Sequence, residues 1–383
     1  MNHTLATART WAEINVDDLL YNYRGALSEL APGVAHFTVL KANAYGLGSV
    51  PVSKILYRAG ARLFAVACVA EGCELRRTLP PDAQILVMGA TAPVEREMAL
   101  RHALIITVFD LGTAEALSAL ALSQGVTARV HVKVNTGLNR LGFSVDEAPD
   151  AVARIAALPG LSFEGLFSHL QRRSPAHDVL QGERLTAVRD ALTARGIAVP
   201  MTHLLDSIGM WRYPGMQYDA VRDAAFVIGH TFPDFARPER MRFALSFKTR
   251  VVHVQWVEAG ECMGYDADHP LKQRARVATL CVGYGDGYPR AMSHRGQVEL
   301  HGRRAPVVGV VCMDLTMIDV TDIPETAVGD EVTLLGEGID IASYAAFSDG
   351  YKNEYITIIS RRVPRVYLEG GQVIDVEEYL GYA

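Results

Sequence analysis

The sequence contains few cysteines and no C-x-x-C pair. The five present form an odd number in a chain of 383 residues, which argues against a disulfide framework. Their spacing does not predict a zinc cluster either. We therefore expect no metal site.

The sequence also has no excess of basic residues and no long apolar runs. The 37 Lys and Arg against 43 Asp and Glu leave a net charge of -6, so no basic field exists to attract nucleic acid or a membrane surface. No run approaches the roughly 18 apolar residues of a membrane span, and residues 1–17 lack the apolar core of a secretory signal. We expect a cytoplasmic protein that acts on a small molecule, with no nucleic-acid or membrane partner.

From about residue 36 to residue 229, short apolar runs recur, each followed by an amphipathic segment. The apolar runs cover residues 36–40, 63–68, 84–88, 103–108, 129–134, 161–167, 201–205 and 221–228. Helical patterns between them cover residues 50–59, 70–77, 113–122, 148–157 and 179–195. This repeat predicts an α/β fold, a (β/α)8 barrel of the TIM type. A doubly wound sheet is the alternative, because periodicity alone cannot show closure.

The pattern changes near residues 235–245, close to Pro233 and Pro238. Strand patterns separated only by turns then cover residues 243–256, 275–282, 297–301, 305–311, 317–320 and 331–335. A helical pattern at 341–347 precedes a last strand at 362–367. We predict a barrel domain over residues 1–240 and a mostly-β domain over residues 241–383.

Lys41 ends the first apolar run, where an ammonium group is costly unless its charge is consumed. A Schiff base to a carbonyl cofactor does this, and pyridoxal 5'-phosphate is the usual partner. The alternative is a lysine that extends its amine from the strand end into solvent.

Four other candidates also lie where predicted barrel strands begin or end: Arg140, His169, Ser207 and Arg222. Each alone has an ordinary structural explanation, such as a core histidine, an ion-pair partner or a helix N-cap. Functional groups of such barrels lie at the carboxyl ends of the strands, often with phosphate near the seventh and eighth. Their shared position therefore favours a site, with Ser207 near the phosphate.

Four segments together resemble the alanine racemase family, and the resemblance extends from about residue 10 to residue 367. They read VLKANAYG at 39–46, KVNTGLNRLG at 133–142, GYGDGYPR at 283–290 and VCMD at 311–314. The resemblance implies that Lys41 carries pyridoxal phosphate and is one proton carrier, and that Tyr284 is the other, on the opposite face of the α-carbon. A phenol with a pKa near 10 needs its anion stabilised for this work, and His169 with Arg222 could supply that field.

The resemblance implies further roles around the cofactor. Arg222 faces the pyridine nitrogen and leaves it unprotonated, which favours racemisation over transamination. Arg140 binds the substrate carboxylate, supported by Lys133, a position often carbamylated in the family. Tyr45 and Ser207 hold the phosphate.

The family also implies a homodimer with shared active sites, in which Tyr284 and Met313 reach the site of the other subunit. The implied reaction interconverts L- and D-alanine and supplies D-alanine for bacterial peptidoglycan.

The sequence departs from the family pattern at Leu47, Asp206, Asp223 and Asn353. We expect the two carboxylates to point away from the phosphate, since they would repel it. Asn353 stands where the family has a tyrosine at the substrate entrance, flanked by Tyr351 and Tyr355. An amide there enlarges the pocket and adds polar groups beside the substrate, which favours an alanine/serine racemase; a neutral change in an alanine-specific enzyme is the other interpretation.

Two further functions remain open at this point. A non-catalytic pyridoxal phosphate-binding protein would resemble the barrel domain only, and the long β-rich tail argues against it. A decarboxylase of similar architecture would use a cysteine such as Cys312, but would carry a carboxylate where this chain has Arg222.

Overall fold

The computed structural model describes residues 8–230, 241–265 and 268–380. The chain divides into two compact units. The barrel unit comprises Leu20–Ala44 and Val52–Arg242; the β-rich unit comprises the residues up to Leu19, Tyr45–Pro51 and the residues from Phe243 onward. The segment before Leu20 and the segment 45–51, which the sequence placed in the barrel domain, thus group with the β-rich unit. Pro233 and Pro238 lie outside the described residues.

Strand β1 (Thr10–Asn15) and helix α1 (Val16–Ser28) open the described chain. The barrel strands are β2 (Ala35–Val39), β3 (Leu63–Val66), β4 (Gln84–Val87), β5 (Ile105–Val108), β6 (Ala128–Asn135), β8 (Leu161–Phe167), β9 (Thr202–His203) and β10 (Ala220–Asp223), with a short β7 (Phe143–Ser144) beside β6. They are parallel and follow one another around the sheet, and β10 pairs with β2 while β5 pairs with β6. The sheet is therefore closed, and the predicted barrel is confirmed.

Helices lie between these strands. They are α2 (Ser49–Arg58), α3 (Val69–Arg76), α4 (Arg96–Arg101), α5 (Leu111–Gln124), α6 (Ala148–Ala157), α7 (Pro175–Ala194), α8 (Ser207–Arg212) and α9 (Ala225–Ile228), with 3-10 turns at Pro93–Glu95 and Pro214–Met216. Helix α7 begins earlier than predicted, because Ser174 caps it through the His177 N–H and a proline fills the first position.

The eighth apolar run, residues 221–228, was predicted as one strand, and this is wrong. Strand β10 stops at Asp223 and helix α9 follows. The Asp223 carboxylate accepts the Phe226 N–H at 3.1 Å and so starts a helical turn. Arg222 therefore lies near the carboxyl end of its strand rather than at its beginning.

The β-rich unit contains strands β11 (Leu245–Val257), β12 (Ala275–Leu280), β13 (Gln297–Leu300), β14 (Arg303–Val308), β15 (Thr316–Asp319), β16 (Glu331–Leu335), β17 (Arg365–Glu369) and β18 (Gln372–Glu377). The long β11 pairs with both β12 and β16, so six of these strands form a closed sheet. Strand β1 joins β11 to β17, an arrangement that alternation in the sequence did not predict. Helices α10 (Ile341–Phe347) and α11 (Lys352–Thr357) and a 3-10 turn at Arg290–Met292 complete the unit.

Within the described ranges, no helix combines the length and apolar character needed to cross a membrane.

Candidate active site

The carboxyl ends of the barrel strands bring five predicted residues to one edge. Lys41 follows β2 after one residue, Arg140 lies in the loop after β6, and His169 follows β8 after one residue. Ser207 is the first residue of α8, and Arg222 is the third of the four residues of β10. Because the strands are parallel, residues that follow different strands meet at the same edge of the sheet.

Arg222 is the centre of the polar contacts at this edge and is only 4% exposed. Its guanidinium donates to Nδ1 of His203 and, over 3.2 Å, to Nδ1 of His169. It also donates to the carbonyl oxygens of Ser168 and Leu204 at 2.8 and 2.9 Å. A guanidinium has no acceptor, so both histidines must accept through Nδ1 and carry their proton on Nε2. The Nε2–H of His169 is therefore available as a donor.

Below Arg222, two histidines that sequence reasoning missed fill the barrel. His203 Nε2 lies 2.9 Å from His131 Nδ1, and the His203 ring stacks on Phe167 at 4.8 Å between centroids. Burial lowers the pKa of His131 to about 3 and that of His203 well below its usual value, and the charge of Arg222 lowers both further. Both rings are thus neutral at neutral pH. A sequence signal for His131 was present in β6. His131 and Lys133 are two residues apart in this strand, so they lie on one face of a segment otherwise rich in valine.

Lys133 is the most perturbed amine in this region. It is 5% exposed, and its Nζ lies 4.3 Å from the centroid of the Phe167 ring. Burial first, and then the positive charges of Arg222 and Arg140, lower its pKa to about 7. A large fraction of this amine is therefore neutral near pH 7.

Lys41, Lys133, Arg140 and Arg222 together form what we call the cationic cluster. Burial lowers the pKa of the Lys41 amine, the charges of Arg140 and Arg222 lower it further, and the carboxylates of Glu71 and Asp206 oppose this effect. The mutual repulsion of these cations is relieved when an anion binds among them. The edge is therefore electrostatically suited to a ligand that carries several negative charges.

Ser207 forms a small anion-binding arrangement with two backbone amides. Its Oγ accepts from the N–H groups of Ala224 and Ala225 at 3.2 and 3.1 Å. Ser207 is not the N-cap of α8, because Asp206 fills that position through the Gly209 N–H at 2.9 Å. A hydroxyl and two N–H groups that meet after the seventh and eighth strands are suited to a phosphate.

The two carboxylates that depart from the family pattern each have other partners. Asp206, besides capping α8, lies 3.8 Å from the Arg172 guanidinium. Asp223 Oδ2 lies 3.3 Å from His36 Nε2, inside the barrel unit. Asp206 thus contacts the start of α8 and Arg172, and Asp223 contacts His36 and the start of α9.

The backbone after Lys41 adopts a left-handed turn. Residues 42–45 have φ values of 52, 56, 52 and 54°, and the Ala44 N–H donates to the Leu40 carbonyl at 2.9 Å. Each non-glycine residue costs about 1–2 kcal/mol in this conformation. Such a strained segment persists only where its surroundings hold it in place.

Tyr45, the last residue of this turn, groups with the β-rich unit together with the segment that follows it. The buried Arg365 donates to the Gly46 carbonyl at 3.1 Å, and the Tyr367 hydroxyl donates to the Leu47 carbonyl at 2.7 Å. Gly46 has φ 88°, and a Cβ there would lie 2.0 Å from the Ile356 carbonyl oxygen, so only glycine fits. Leu47 itself is buried.

In the β-rich unit, Tyr284 lies in a loop held by a buried carboxylate. Asp286 accepts the Gly283 N–H at 3.0 Å and is bound by the guanidinium groups of Arg9 and Arg362, each at 2.8 Å. These contacts fix the loop and leave the Tyr284 side chain 45% exposed.

Tyr284, Met313 and a phenol that the sequence did not predict lie around Cys312. The Tyr284 N–H donates to the Cys312 carbonyl at 3.0 Å, and the Gly285 N–H donates to the Met313 carbonyl at 2.9 Å. The Tyr265 N–H donates to the Cys312 sulfur, and the Tyr265 side chain is 85% exposed. Two exposed phenols, those of Tyr284 and Tyr265, therefore belong to segments that contact Cys312. No sequence motif pointed to Tyr265.

Asn353 lies half-buried in α11. The neighbouring Tyr355 is buried, with its hydroxyl bonded to Ser348 and its ring 5.4 Å from that of Tyr344. The Tyr355 phenol therefore lies in the interior of the β-rich unit. It does not take the place of the tyrosine expected at position 353 from the family pattern. Tyr351 is exposed.

The model of the alanine racemase N-terminal domain matches residues 14–226, and the model of the C-terminal domain matches residues 244–367. The chain belongs to the alanine racemase family. An alanine racemase of Symbiobacterium thermophilum is 39% identical over 371 residues, which are 95% of this chain and 97% of that protein.

Solved alanine racemase structures also resemble the chain over nearly its whole length. The enzyme of Clostridium difficile 630 is 31% identical, with a TM-score of 0.93 over 98% of this chain and 100% of that one. The enzyme of Bacillus anthracis, solved with bound L-Ala-P, is 30% identical, with a TM-score of 0.88 over 97% and 98% of the two chains. The family and the fold expected from the motifs are confirmed.

The lowered pKa of Lys133 predicts unusual reactivity in this family member. Because only a neutral amine attacks cyanate, Lys133 should become carbamoylated at neutral pH well before the exposed Lys272, and its labelling should fall as the pH drops below about 7. Peptide mass mapping after short exposure to cyanate in bicarbonate-free buffer measures both lysines in one sample. Equal labelling of the two at neutral pH would contradict the prediction.

Proposed function

We propose that this chain is an alanine racemase that binds pyridoxal phosphate on Lys41 and interconverts L- and D-alanine. The observation that carries the proposal is the cationic cluster, which places a lysine of lowered pKa at the edge that also holds the Ser207 anion-binding arrangement. A phosphorylated aldehyde cofactor and a substrate carboxylate together supply the anionic groups that this edge favours.

The residues present fit the cofactor. The Ser207 hydroxyl, the amides of Ala224 and Ala225 and the phenol of Tyr45 would hold the phosphate, and Arg222 would donate to the ring nitrogen. When bound, pyridoxal phosphate withdraws electrons from the substrate carbon that bears the amino group and so acidifies its C–H bond. A guanidinium keeps its protons, so Arg222 leaves the ring nitrogen unprotonated, which favours racemisation over transamination.

Two proton carriers on opposite faces of the α-carbon complete the reaction. Lys41 is one, because its lowered pKa increases the neutral fraction that can accept a proton. A phenol of the β-rich unit is the other: Tyr284 is the residue predicted from the sequence, and Tyr265 is its rival because it is exposed beside the same Cys312. The Nε2–H of His169, held in place by Arg222, would stabilise the phenolate.

Arg140 would bind the substrate carboxylate, and Met313 would contact the substrate. We propose that Lys133 is carbamylated, which requires the neutral amine that its pKa of about 7 provides. A carbamate would replace one positive charge of the cationic cluster by a negative one and would anchor Arg140.

We also propose that the active unit is a homodimer with shared sites, in which Tyr284 and Met313 serve the partner's cofactor. Both side chains are about half exposed in the single chain, as expected for residues that act on another subunit. The product would supply D-alanine for peptidoglycan.

Single substitutions test the two-carrier proposal. The native protein with pyridoxal phosphate should show visible absorbance and exchange the α-proton of both alanine enantiomers with deuterium from solvent. Lys41→Ala should abolish the lysine-bound absorbance. Replacing the true phenol by phenylalanine should reduce exchange of one enantiomer by at least 100-fold, the order of effect of a general base.

The comparison of Tyr284→Phe with Tyr265→Phe assigns the second carrier, and Tyr379→Phe, an exposed phenol near the end of the chain, is the matched control. Retained exchange of both enantiomers in Tyr284→Phe, with loss in Tyr265→Phe, would transfer the role to Tyr265. Absorbance without any exchange in the native protein would instead indicate a non-catalytic cofactor-binding protein.

Mixed subunits test the shared sites. Lys41→Ala and Tyr284→Phe proteins should each be inactive, whereas co-refolded mixtures should recover up to about a quarter of the native rate, because half of the dimers are mixed and each mixed dimer has one intact site. If Tyr265 proves to be the carrier, Tyr265→Phe replaces Tyr284→Phe. No recovery in mixtures that sediment as dimers would show that each site is built from one chain.

A substitution at Asn353 tests substrate preference. If the amide enlarges the pocket, Asn353→Tyr should lower the ratio of serine to alanine turnover several-fold, since a phenol fills the added space and removes the amide donor. Steady-state rates on both amino acids measure the ratio. An unchanged ratio would mean that Asn353 is a neutral replacement in an alanine-specific enzyme.

A further inference from the structure

The carboxylate of Glu71 joins the ends of two neighbouring barrel strands beside Lys41. Its Oε1 accepts the Ala42 N–H at 2.7 Å, and its Oε2 accepts the Ala67 N–H at 2.7 Å. Ala42 follows β2, Ala67 follows β3, and Glu71 lies in the first turn of α3. One side chain therefore fixes the residue directly after Lys41 to the adjacent strand.

Ala42 is also the first residue of the left-handed turn. Neither alanine of that turn has a side chain that could stabilise positive φ through a local hydrogen bond, as asparagine or aspartate does. The short charge-assisted bond from Ala42 to Glu71 is thus a contact that offsets the strain where the turn begins.

We infer that Glu71 is a positioning residue for Lys41, which holds the strained turn so that the amine is presented to the cofactor aldehyde. This inference rests on the proposed function, because it takes Lys41 as the cofactor lysine. Glu71 acts through the backbone of residue 42 and through its charge, and it does not touch the reacting atoms.

The charges around Lys41 make its pKa a readout of whether Glu71 carries a charge beside it. Arg140 from the loop after β6 and Arg222 from β10 disfavour the ammonium form, while Glu71 from α3 and Asp206 before α8 favour it. Removing the charge of Glu71 leaves Asp206 as the remaining carboxylate among these groups. The pKa of Lys41 should therefore fall further in Glu71→Gln.

A purely structural role of Glu71 in starting α3 is the competing explanation. The N-cap of α3, Cys68, makes no side-chain capping bond, and the bond from Ala67 to Glu71 could serve the helix alone. The two explanations predict different effects of a substitution at residue 42 on a Glu71 variant. Glycine adopts positive φ without the Cβ penalty, so Ala42→Gly removes strain from the turn and leaves α3 unchanged.

The test uses three variants of the full chain: Glu71→Gln, Glu71→Gln/Ala42→Gly and the control Glu147→Gln. Glu147 likewise closes a local turn, through the Ser144 N–H and hydroxyl. Two readouts are compared: the rate at which the apoprotein captures pyridoxal phosphate on Lys41, mapped after borohydride reduction, and the pH dependence of Lys41 labelling by an amine-reactive reagent in the apoprotein.

We expect capture to be slower by on the order of tenfold in Glu71→Gln, with the midpoint of Lys41 labelling shifted to lower pH. Adding Ala42→Gly should restore part of the capture rate, and Glu147→Gln should match the native protein. Native capture and labelling in Glu71→Gln, or a loss that Ala42→Gly does not relieve, would overturn the inference. Failure of the native protein to capture the cofactor would instead overturn the proposed function, and the labelling of Lys41 would still test Glu71.

Discussion

The repulsion among positive charges at one edge of the barrel is the constraint on which the candidate site depends. Closure of a parallel sheet brings Lys41, Lys133, Arg140 and Arg222 to its carboxyl edge, and burial strengthens their interaction. Burial and the neighbouring positive charges lower the pKa of both lysines. The same arrangement, unfavourable for the folded chain alone, raises the neutral fraction of two amines and favours anionic ligands.

Arg222 links this charge to the neutral interior. Burial lowers its pKa to about 10, so it is protonated at neutral pH. It donates to two histidines and two carbonyl groups. His169 and His203 stay neutral because burial, and then the charge of Arg222, lowers their pKa well below the usual value. Their tautomers follow from the fact that arginine can only donate, so the direction of the polar chain from His131 to His169 is set by one side chain.

The backbone around Lys41 shows how strain is distributed. Four consecutive left-handed residues follow the lysine, and the first of them, Ala42, donates its N–H to Glu71 of the barrel unit. The segment that begins at Tyr45 is held within the β-rich unit by Arg365 and Tyr367. Arg365 is buried and makes its hydrogen bonds to carbonyl oxygens, which indicates that it stabilises backbone geometry there.

Much of the fold was predictable, because strands buried on both faces have a readable apolar pattern and the intervening helices have another. The limits of α6 and of β16 were predicted to the residue. The limits of the eighth run were not predicted, since its strand and its short helix are similarly apolar. They are separated by side-chain contacts to the backbone, such as the bond that Asp223 accepts from the Phe226 N–H. Strand β1 was missed because its partners, β11 and β17, are more than 200 residues away in the chain.

For the site, the sequence by itself determined the family, the cofactor lysine to test and the residues that follow the strands, because these are properties of local motifs. Only the tertiary structure decided that His131 and His203 lie under Arg222, that Ser207 faces two amides, that Tyr355 is committed to the interior and that Glu71 joins two strand ends. Each of these depends on distances between residues far apart in the chain, and those distances are fixed only when the sheet closes and the side chains pack.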